Sequence, residues 1–331
     1  MNRAMRNSVE NRKYFFLAVN TGFVQGGLPD TRCRAFYRER SRHGLHCSIV
    51  GNVVIPGGTG SNDVCTEISG APAWRQLAEA IGEHGALPGI QLASAWQGYR
   101  GMTRFIPSAG DDPLNEYRRL ADSLSNKDAR TAFDGLYRGT EFAIKAGFRH
   151  VQIHAAHGYL FNLLVDPRLS RHVELALEAI QQWARGLTAM GIESSVRISM
   201  WAGHPVFDGQ LEDQFLSRIA ELPVSYVDVS AGFYNINKRL IYPSTPQLLS
   251  DRVEATLVFA SRHPETQVIL SGKSALAWDT RLPPNVHIGI CRDLIANPDF
   301  LLERARGCAT CMKCHYYSRG ASHLTCGRWE P

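Results

Sequence analysis

The chain has 331 residues, 44% of them hydrophobic and 20% charged, with a formal net charge of +5. This length suits one large α/β domain or two ordinary ones, and the apolar fraction predicts an independently folding globular protein. No run of eighteen apolar residues occurs, and the opening MNRAMRNSVENRKYFF lacks the apolar stretch and cleavage site of an export signal, so a soluble, cytoplasmic protein that does not enter a membrane is expected.

Taken in chain order, short β-branched or apolar runs alternate with longer helical patterns. YFFLAV, HCSIVGNVVI, LPGIQLA, RHVQIHA, SSVRISM, VSYVDVS, TQVILS and NVHIGI read as eight buried strands. Between them, TRCRAFYRERSRHG, PAWRQLAEAIGEHG, KDARTAFDGLYRGTEFAIKAG, VELALEAIQQWARGLTAMG, LEDQFLSRIAEL and TPQLLSDRVEATLVFASRH carry helical periodicity or helix-forming composition, several of them closing on Gly. Eight strands alternating with helices over this length predict an α/β fold of the (β/α)₈ TIM-barrel type. The competing doubly wound sheet would carry G-x-G-x-x-G between its first strand and helix; NTGFVQGGLPD stands there instead, and PGGTGSND opens no helix. The seventh crossover, SALAWDTRLPPN, is too short for a full helix before Pro283 and Pro284, and NPDFLLERAR reads as the closing helix. The expected organisation is a barrel over 1–306 and a cysteine-rich tail over 307–331.

Lys and Arg are spread along the chain rather than gathered into a stripe with interleaved aromatics, which argues against nucleic acid as a partner, while a basic surface favours an acidic protein. Four of the eight cysteines, Cys33, Cys47, Cys65 and Cys291, are scattered and read as small buried hydrophobes. The other four, Cys308, Cys311, Cys314 and Cys326, are spaced C-x₂-C-x₂-C-x₁₁-C. Three thiolates close together and a distant fourth suit a cubane whose irons are each capped by one Cys, whereas zinc sites generally use two separated pairs. His315 still allows a Cys/His zinc site to be drawn, so the spacing leaves both metals open.

VQIHAAHGYLFN places His154 and His157 at the end of the fourth strand with Tyr159 just beyond, where barrel side chains face the catalytic mouth. Imidazoles there can bind metal or a substrate oxygen, and a phenol can deliver a proton. Taken with NTGF…GLPD…AFYRERSRHG after the first strand, GIQL on the third, VRIS on the fifth, CRDLIANPDF after the eighth and the cysteine tail, this segment resembles the flavin-dependent barrels related to Old Yellow Enzyme. The tail is similar to that of the iron–sulfur branch, of the 2,4-dienoyl-CoA reductase and trimethylamine dehydrogenase type. The resemblance runs from about Asn11 to the last cysteine.

The resemblance implies FMN across the barrel mouth and a [4Fe–4S] cluster on Cys308, Cys311, Cys314 and Cys326. Thr21 and Gly22 would line the isoalloxazine edge, Gln91 would bond the pyrimidine, and Arg197 would stabilise anionic reduced flavin. Gly272, Cys291 and Arg292 match phosphate-holding positions. His154 and His157 would bind a substrate oxygen, Tyr159 would donate the proton, and Tyr234 in SAGFYN falls near another polar active-site position. The chain departs from the pattern at Ser94 and Gln97, where relatives have His and Arg, at Cys291, where they have Gly, and after the fourth strand, where a long loop is missing. That loss should open the mouth or leave it to be covered by something else.

The activity implied is hydride transfer between flavin and a small or medium organic substrate, most plausibly reduction of an activated C=C bond. The reverse reaction, desaturase or amine dehydrogenase, uses the same residues. The other class is a non-catalytic, zinc-clasped barrel acting as a binding subunit. Larger relatives carry nucleotide-binding domains after the cluster, and here only five residues follow Cys326. The expected electron source is therefore an external ferredoxin, flavodoxin or reductase subunit, or NAD(P)H directly; the sequence is also compatible with a homo-oligomer.

Overall fold

The computed structural model describes residues 12–210, 213–273 and 282–329. Its centre is a closed parallel barrel built from β1 (Tyr14–Val19), β4 (Cys47–Val54), β5 (Leu87–Ala93), β6 (His150–Ala155), β7 (Glu193–Ser199), β8 (Tyr226–Ser230), β9 (Val268–Leu270) and β10 (Val286–Ile290). β1 closes the ring by pairing with both β4 and β10. The remaining two strands, β2 (Val24–Gln25) and β3 (Leu28–Pro29), form a small antiparallel ribbon. The eight expected strands are thus the eight staves. Their β-branched runs are buried on both faces, against the barrel interior on one side and the helical coat on the other.

The coat forms where local signals and burial agree. In α1 (Thr31–Arg40), Asp30 caps the amides of Arg32 and Cys33. α2 (Pro72–Gly82) starts on Pro72 and buries Trp74, Leu77, Ala78 and Ile81, a spacing that keeps them on one face. Each such fully buried side chain larger than Ala contributes roughly 1.5–3 kcal/mol. A helix absent from the sequence expectation, α3 (Asp112–Ser123), lies in the long excursion between β5 and β6. α4 (Asn126–Ala146) begins in a capping box between Ser125 and Asp128 and ends at Gly147 with φ 99°. Further along come α5 (Leu160–Val165), α6 (Val173–Ala189), α7 (Pro205–Asp208), α8 (Asp213–Ala220), α9 (Lys238–Ile241), α10 (Pro246–Arg262) and α11 (Arg292–Ala296).

The closing helix is misplaced in the sequence reading. The helical turns are at α11, and NPDFLLERAR is a series of turns ending in a 3₁₀ segment at Arg304–Arg306. Asn297 is extended before Pro298, and its side chain accepts the amide of Asp299, a turn-forming arrangement. The apolar periodicity there is also deceptive, because Leu302 is 68% exposed. Most of the seventh crossover, 274–281, lies outside the described residues.

At the barrel's lower rim, where strands begin, Glu193 gathers four partners. His46 (3.0 Å), His150 (3.2 Å), Tyr226 (3.1 Å) and Lys13 (3.4 Å) all reach its carboxylate. His150 is completed by Ser195 at 2.8 Å, and His287 binds Gln267 and accepts the Lys13 amide. Burial would raise the Glu193 carboxyl, but the bonds from His150 and His46 outweigh it and hold the group well below the usual range.

The tail packs into the barrel's main core through Tyr316, Leu324 and Cys326. Its amide at Leu324 donates to Thr21 (2.7 Å), Tyr316 donates to Asn20 (3.0 Å), the Cys308 amide donates to Asp293 (2.8 Å), and Trp329 donates to Ile295 (2.7 Å). Among the described residues no helix is long and apolar enough to cross a membrane.

Candidate active site

The strand ends opposite that rim open into one cavity. β6 supplies His154 and β7 supplies Arg197 directly alongside it in register. Just after β6, His157 takes φ 64° and Gly158 φ 78°, a tight turn that leads Tyr159 to the N-cap of α5. A Cβ at Gly158 would sit 2.6 Å from the Tyr117 ring, so only glycine allows the approach. His157 donates its amide to Ser199 (2.9 Å), and its Nε2 pairs with Ser230 (2.8 Å).

The aromatic wall is built around Tyr159. Its ring stacks on Tyr234 (5.6 Å, 18°) and meets Tyr99 (5.4 Å) and His154 (4.8 Å) edge-on. Tyr234 is tied to Tyr242 through their hydroxyls at 2.6 Å. Burial holds the Tyr159 phenol well above its ordinary range, with Tyr234 adding to the effect, so it keeps its proton near neutrality. Burial, and then Arg197, pull His154 well below the usual histidine range; His157 is lowered by burial, His154 and Arg197. Both imidazoles are therefore neutral.

Several buried polar atoms in this cavity lack a partner: Tyr99 Oη, His154 Nδ1, Arg197 Nε, Arg292 Nη1 and His315 Nε2. Buried polar groups are ordinarily satisfied, so a cavity holding five that are not is equipped to bind a polar ligand. Arg197 is expected to face an anion. The structure supplies one within the protein, since Arg197 donates to the buried Asp228 at 2.9 Å and to Ser230 at 3.2 Å. Arg252, from α10, adds a third buried guanidinium charge beside Ser230 and Ser271.

Of the expected residues, Gln91, His154, His157, Tyr159, Arg197, Tyr234, Gly272, Cys291 and Arg292 share this cavity. Gln91 donates to Gln152 (2.6 Å) on the barrel's inner layer. Gly272 has φ 89°, and Cys291 has φ −130°, so the side chain at the latter position fits without a glycine. Thr21 and Gly22 are not among the lining residues. They turn instead against the tail, where a Cβ on Gly22 would come within 2.5 Å of the Ser322 carbonyl. Ser94 is a structural residue, accepting from Thr59 and donating to Ala95, and Gln97 is exposed.

Residues that sequence reasoning missed include Tyr99, Asp228, Lys238, Tyr242 and Arg252. Lys238 bonds the Met102 carbonyl (2.9 Å) and Ser318, thereby pinning the excursion after β5 to the tail; burial lowers it to about 8. Tail residues Cys314 to Ser318 form part of the cavity wall.

The four tail cysteines are free thiols in one small loop region. Among the described residues no three His, Cys, Asp or Glu side chains converge on a point that would hold a single metal ion. The backbone is nevertheless arranged for sulfur: amides of Thr310, Gly327 and Arg328 point at Cys308, Cys311 and Cys326 at 3.3, 3.4 and 3.5 Å. Thr310 and Met312 hold φ 56° and 59°, costing about 1–3 kcal/mol each. Against burial, which raises it, the amides of Lys313 and Gly327 hold the Cys311 thiol below its ordinary range.

Residues 21–174 match the NADH:flavin oxidoreductase / NADH oxidase family. An NADPH dehydrogenase of Geobacillus sp. (strain WCH70) is 26% identical over 274 residues, 74% of each chain. Among solved structures, the Old Yellow Enzyme homologue from Zymomonas mobilis shares the fold with a TM-score of 0.60 at 16% identity, covering 89% of both chains. A 2-naphthoyl-CoA reductase gives a TM-score of 0.70 at 14% identity; the match covers 96% of this chain but only 56% of the reductase, so the chain spans little more than half of that protein. With the barrel and its mouth described above, the chain is similar over residues 21–174 to the NADH:flavin oxidoreductase / NADH oxidase family and has the fold of the Old Yellow Enzyme homologue, and like its NADPH dehydrogenase and NADH oxidase relatives it is an enzyme, a flavin oxidoreductase.

Proposed function

We propose that the protein is an FMN- and [4Fe–4S]-dependent oxidoreductase that reduces an activated C=C bond in a small or medium organic substrate. The observation that carries this reading is the set of unpartnered buried groups in one cavity, with Cys314 of the tail in the same wall. Bound FMN supplies a two-electron redox centre that no side chain provides.

The residues present fit that group. Arg292, beside Gly272 and Cys291, offers a buried guanidinium hydrogen-bond donor for a phosphate, and Arg197 Nε offers one for an anionic ring edge. Gln91 presents an amide for a pyrimidine. Neutral His154 and His157 orient a carbonyl oxygen of the substrate by hydrogen bonding, which withdraws charge from the conjugated double bond. Tyr159, held protonated, delivers a proton to the carbon that becomes saturated, with Tyr234 fixing its ring plane. The aromatic wall and the tail exclude water from the site.

In the tail, amide donors to three sulfurs suit thiolates, and the C-x₂-C-x₂-C-x₁₁-C spacing of the four cysteines suits a cubane. NAD(P)H or an external redox protein supplies the electrons. The absorption spectrum of the purified protein, together with its flavin and metal content, tests the reading. Flavin bands, acid-released FMN and about four irons per chain are expected for a cubane. A colourless protein containing one zinc would refute it and leave the zinc-clasped barrel.

A further inference from the structure

The positive charge of this protein is not evenly distributed. Between Glu303 and Glu330 the chain carries Arg304, Arg306, Lys313, Arg319 and Arg328 and no carboxylate. Lys and Arg number 36 and Asp and Glu 31 in the whole chain, so setting these five aside leaves 31 of each. The excess of this stretch, 304–329, thus equals the formal net charge of +5; the tail proper, 307–331, carries Lys313, Arg319, Arg328 and Glu330, a net +2, and Arg304 and Arg306 adjoin it at the end of the barrel.

Arg304, Arg306, Arg319 and Arg328 are exposed, and so are Tyr317 (43%) and Trp329 (36%) of the same segment and Leu302 (68%) just before it. Arginine beside exposed aromatic and aliphatic groups is the composition of a protein-binding surface. Arg32 of α1, Arg306, Arg328, Phe36 and Trp329 line one groove. Three carboxylates accompany it: Glu39 pairs with the buried Arg40, Asp30 with Arg32, and Glu303 with Arg306. Arg319 and Arg328 make no ion pair among the described residues. Trp329 is held rigidly, by its bond to Ile295 and by Arg40 over its ring at 5.2 Å, so presenting its exposed edge costs little ordering entropy.

The groove also lies against the proposed cluster. Its wall includes the Gly327–Arg328 backbone, and the amides of these two residues are those that bond the sulfurs of Cys311 and Cys326. One layer of backbone thus separates a bound partner from two of the four thiols, while Cys314 on the other side lines the active-site cavity. We propose that this groove docks an acidic electron-transfer protein carrying a one-electron iron–sulfur or flavin centre. The assignment rests on the reading of the tail as an electron-carrying site. Two successive deliveries, each oxidising the partner's centre by one electron, supply the two electrons that with two protons saturate one C=C bond. A nucleic acid fits the face less well, because Phe36, Trp329 and Glu39 stand among the groove's cations, which therefore do not form a continuous track for phosphates.

The test is titration calorimetry of the purified holoprotein with an acidic [2Fe–2S] ferredoxin at about 50 mM and about 500 mM salt. Binding at low salt that is lost at high salt is expected, weakened about tenfold or more in R306E/R328E and less in the milder R328Q. R185E, a charge reversal on exposed α6, should leave it unchanged, and melting curves establish that each variant is folded. No binding, or binding equally tolerant of R306E/R328E and R185E, would overturn the proposal. So would retention of single-stranded DNA, or a concentration-dependent dimer, that R306E/R328E abolishes while the ferredoxin fails to bind. Iron content is measured on the same sample: absence of iron with salt-sensitive ferredoxin binding removes the cluster and keeps the docking face, and iron without binding does the reverse.

Discussion

The two ends of the barrel are built from similar residues and treat them in opposite ways. At the lower rim, Lys13, His46, His150, Tyr226 and Glu193 satisfy one another, and His287 has its own partners. At the mouth, His154, Arg197, Tyr99, Arg292 and His315 each keep a buried polar atom without one. An unmade bond on a buried group costs about 1–3 kcal/mol, so the mouth carries a penalty that a bound polar ligand removes. The lower rim uses its polar groups to hold strands together, and the mouth keeps its own available. Histidine content alone does not separate these roles; completeness of partners does.

The sharpest way to break this contrast is Tyr159→Phe. Reduction of a cyclic enone should fall by roughly a hundredfold or more, with FMN content and melting temperature unchanged. Undiminished turnover would remove Tyr159 from the chemistry. At the other end, Glu193→Ala should destabilise the protein by about 2 kcal/mol in urea titrations, because it strips four partners of their shared acceptor, while turnover per folded molecule is retained. A variant of wild-type stability would show that the lower rim is not the fastening it is taken for.

Acid gives the smallest and most distributed effect. Burial, with Lys13 and Arg12 nearby, lowers His287 to about 4 from its ordinary 6.5. Between those values the unfolded chain binds the proton and the folded one does not, so this contribution to stability is full above about 6.5 and is lost as pH falls toward 4. His154 and His157, also lowered, act in the same direction, and Glu193 joins below about 4.5. Thermal midpoints measured from pH 7 to 4 should decline steadily, and less steeply in His287→Gln. A flat profile would contradict the neutral state assigned to these imidazoles.

Much of this molecule was legible in the chain. Each barrel strand is a short apolar run bounded by turn residues, and a fully parallel closed sheet follows from eight of them alternating with helices. His154, His157 and Tyr159 were readable because they stand at a strand end, and a strand end in a barrel is an address. NPDFLLERAR misled because local periodicity indicates a helix only when its apolar face finds something to cover, and Leu302 does not. Thr21 and Gly22 were displaced from the cavity by the tail, a contact about three hundred residues away along the chain.

The sequence by itself determined the strand order, much of the helical coat, which side chains stand at the strand ends and the spacing of the four cysteines, because these depend on alternation, local capping and residue type. Only the tertiary structure decided that Asp228 faces Arg197, that Lys238 ties the β5 excursion to the tail, that Cys314 to Ser318 line the mouth, and that Arg306 and Arg328 line one groove with Arg32. Those pairings join segments far apart along the chain. Their energies come from burial and desolvation at the point of contact, quantities that have no value until the chain has closed on itself.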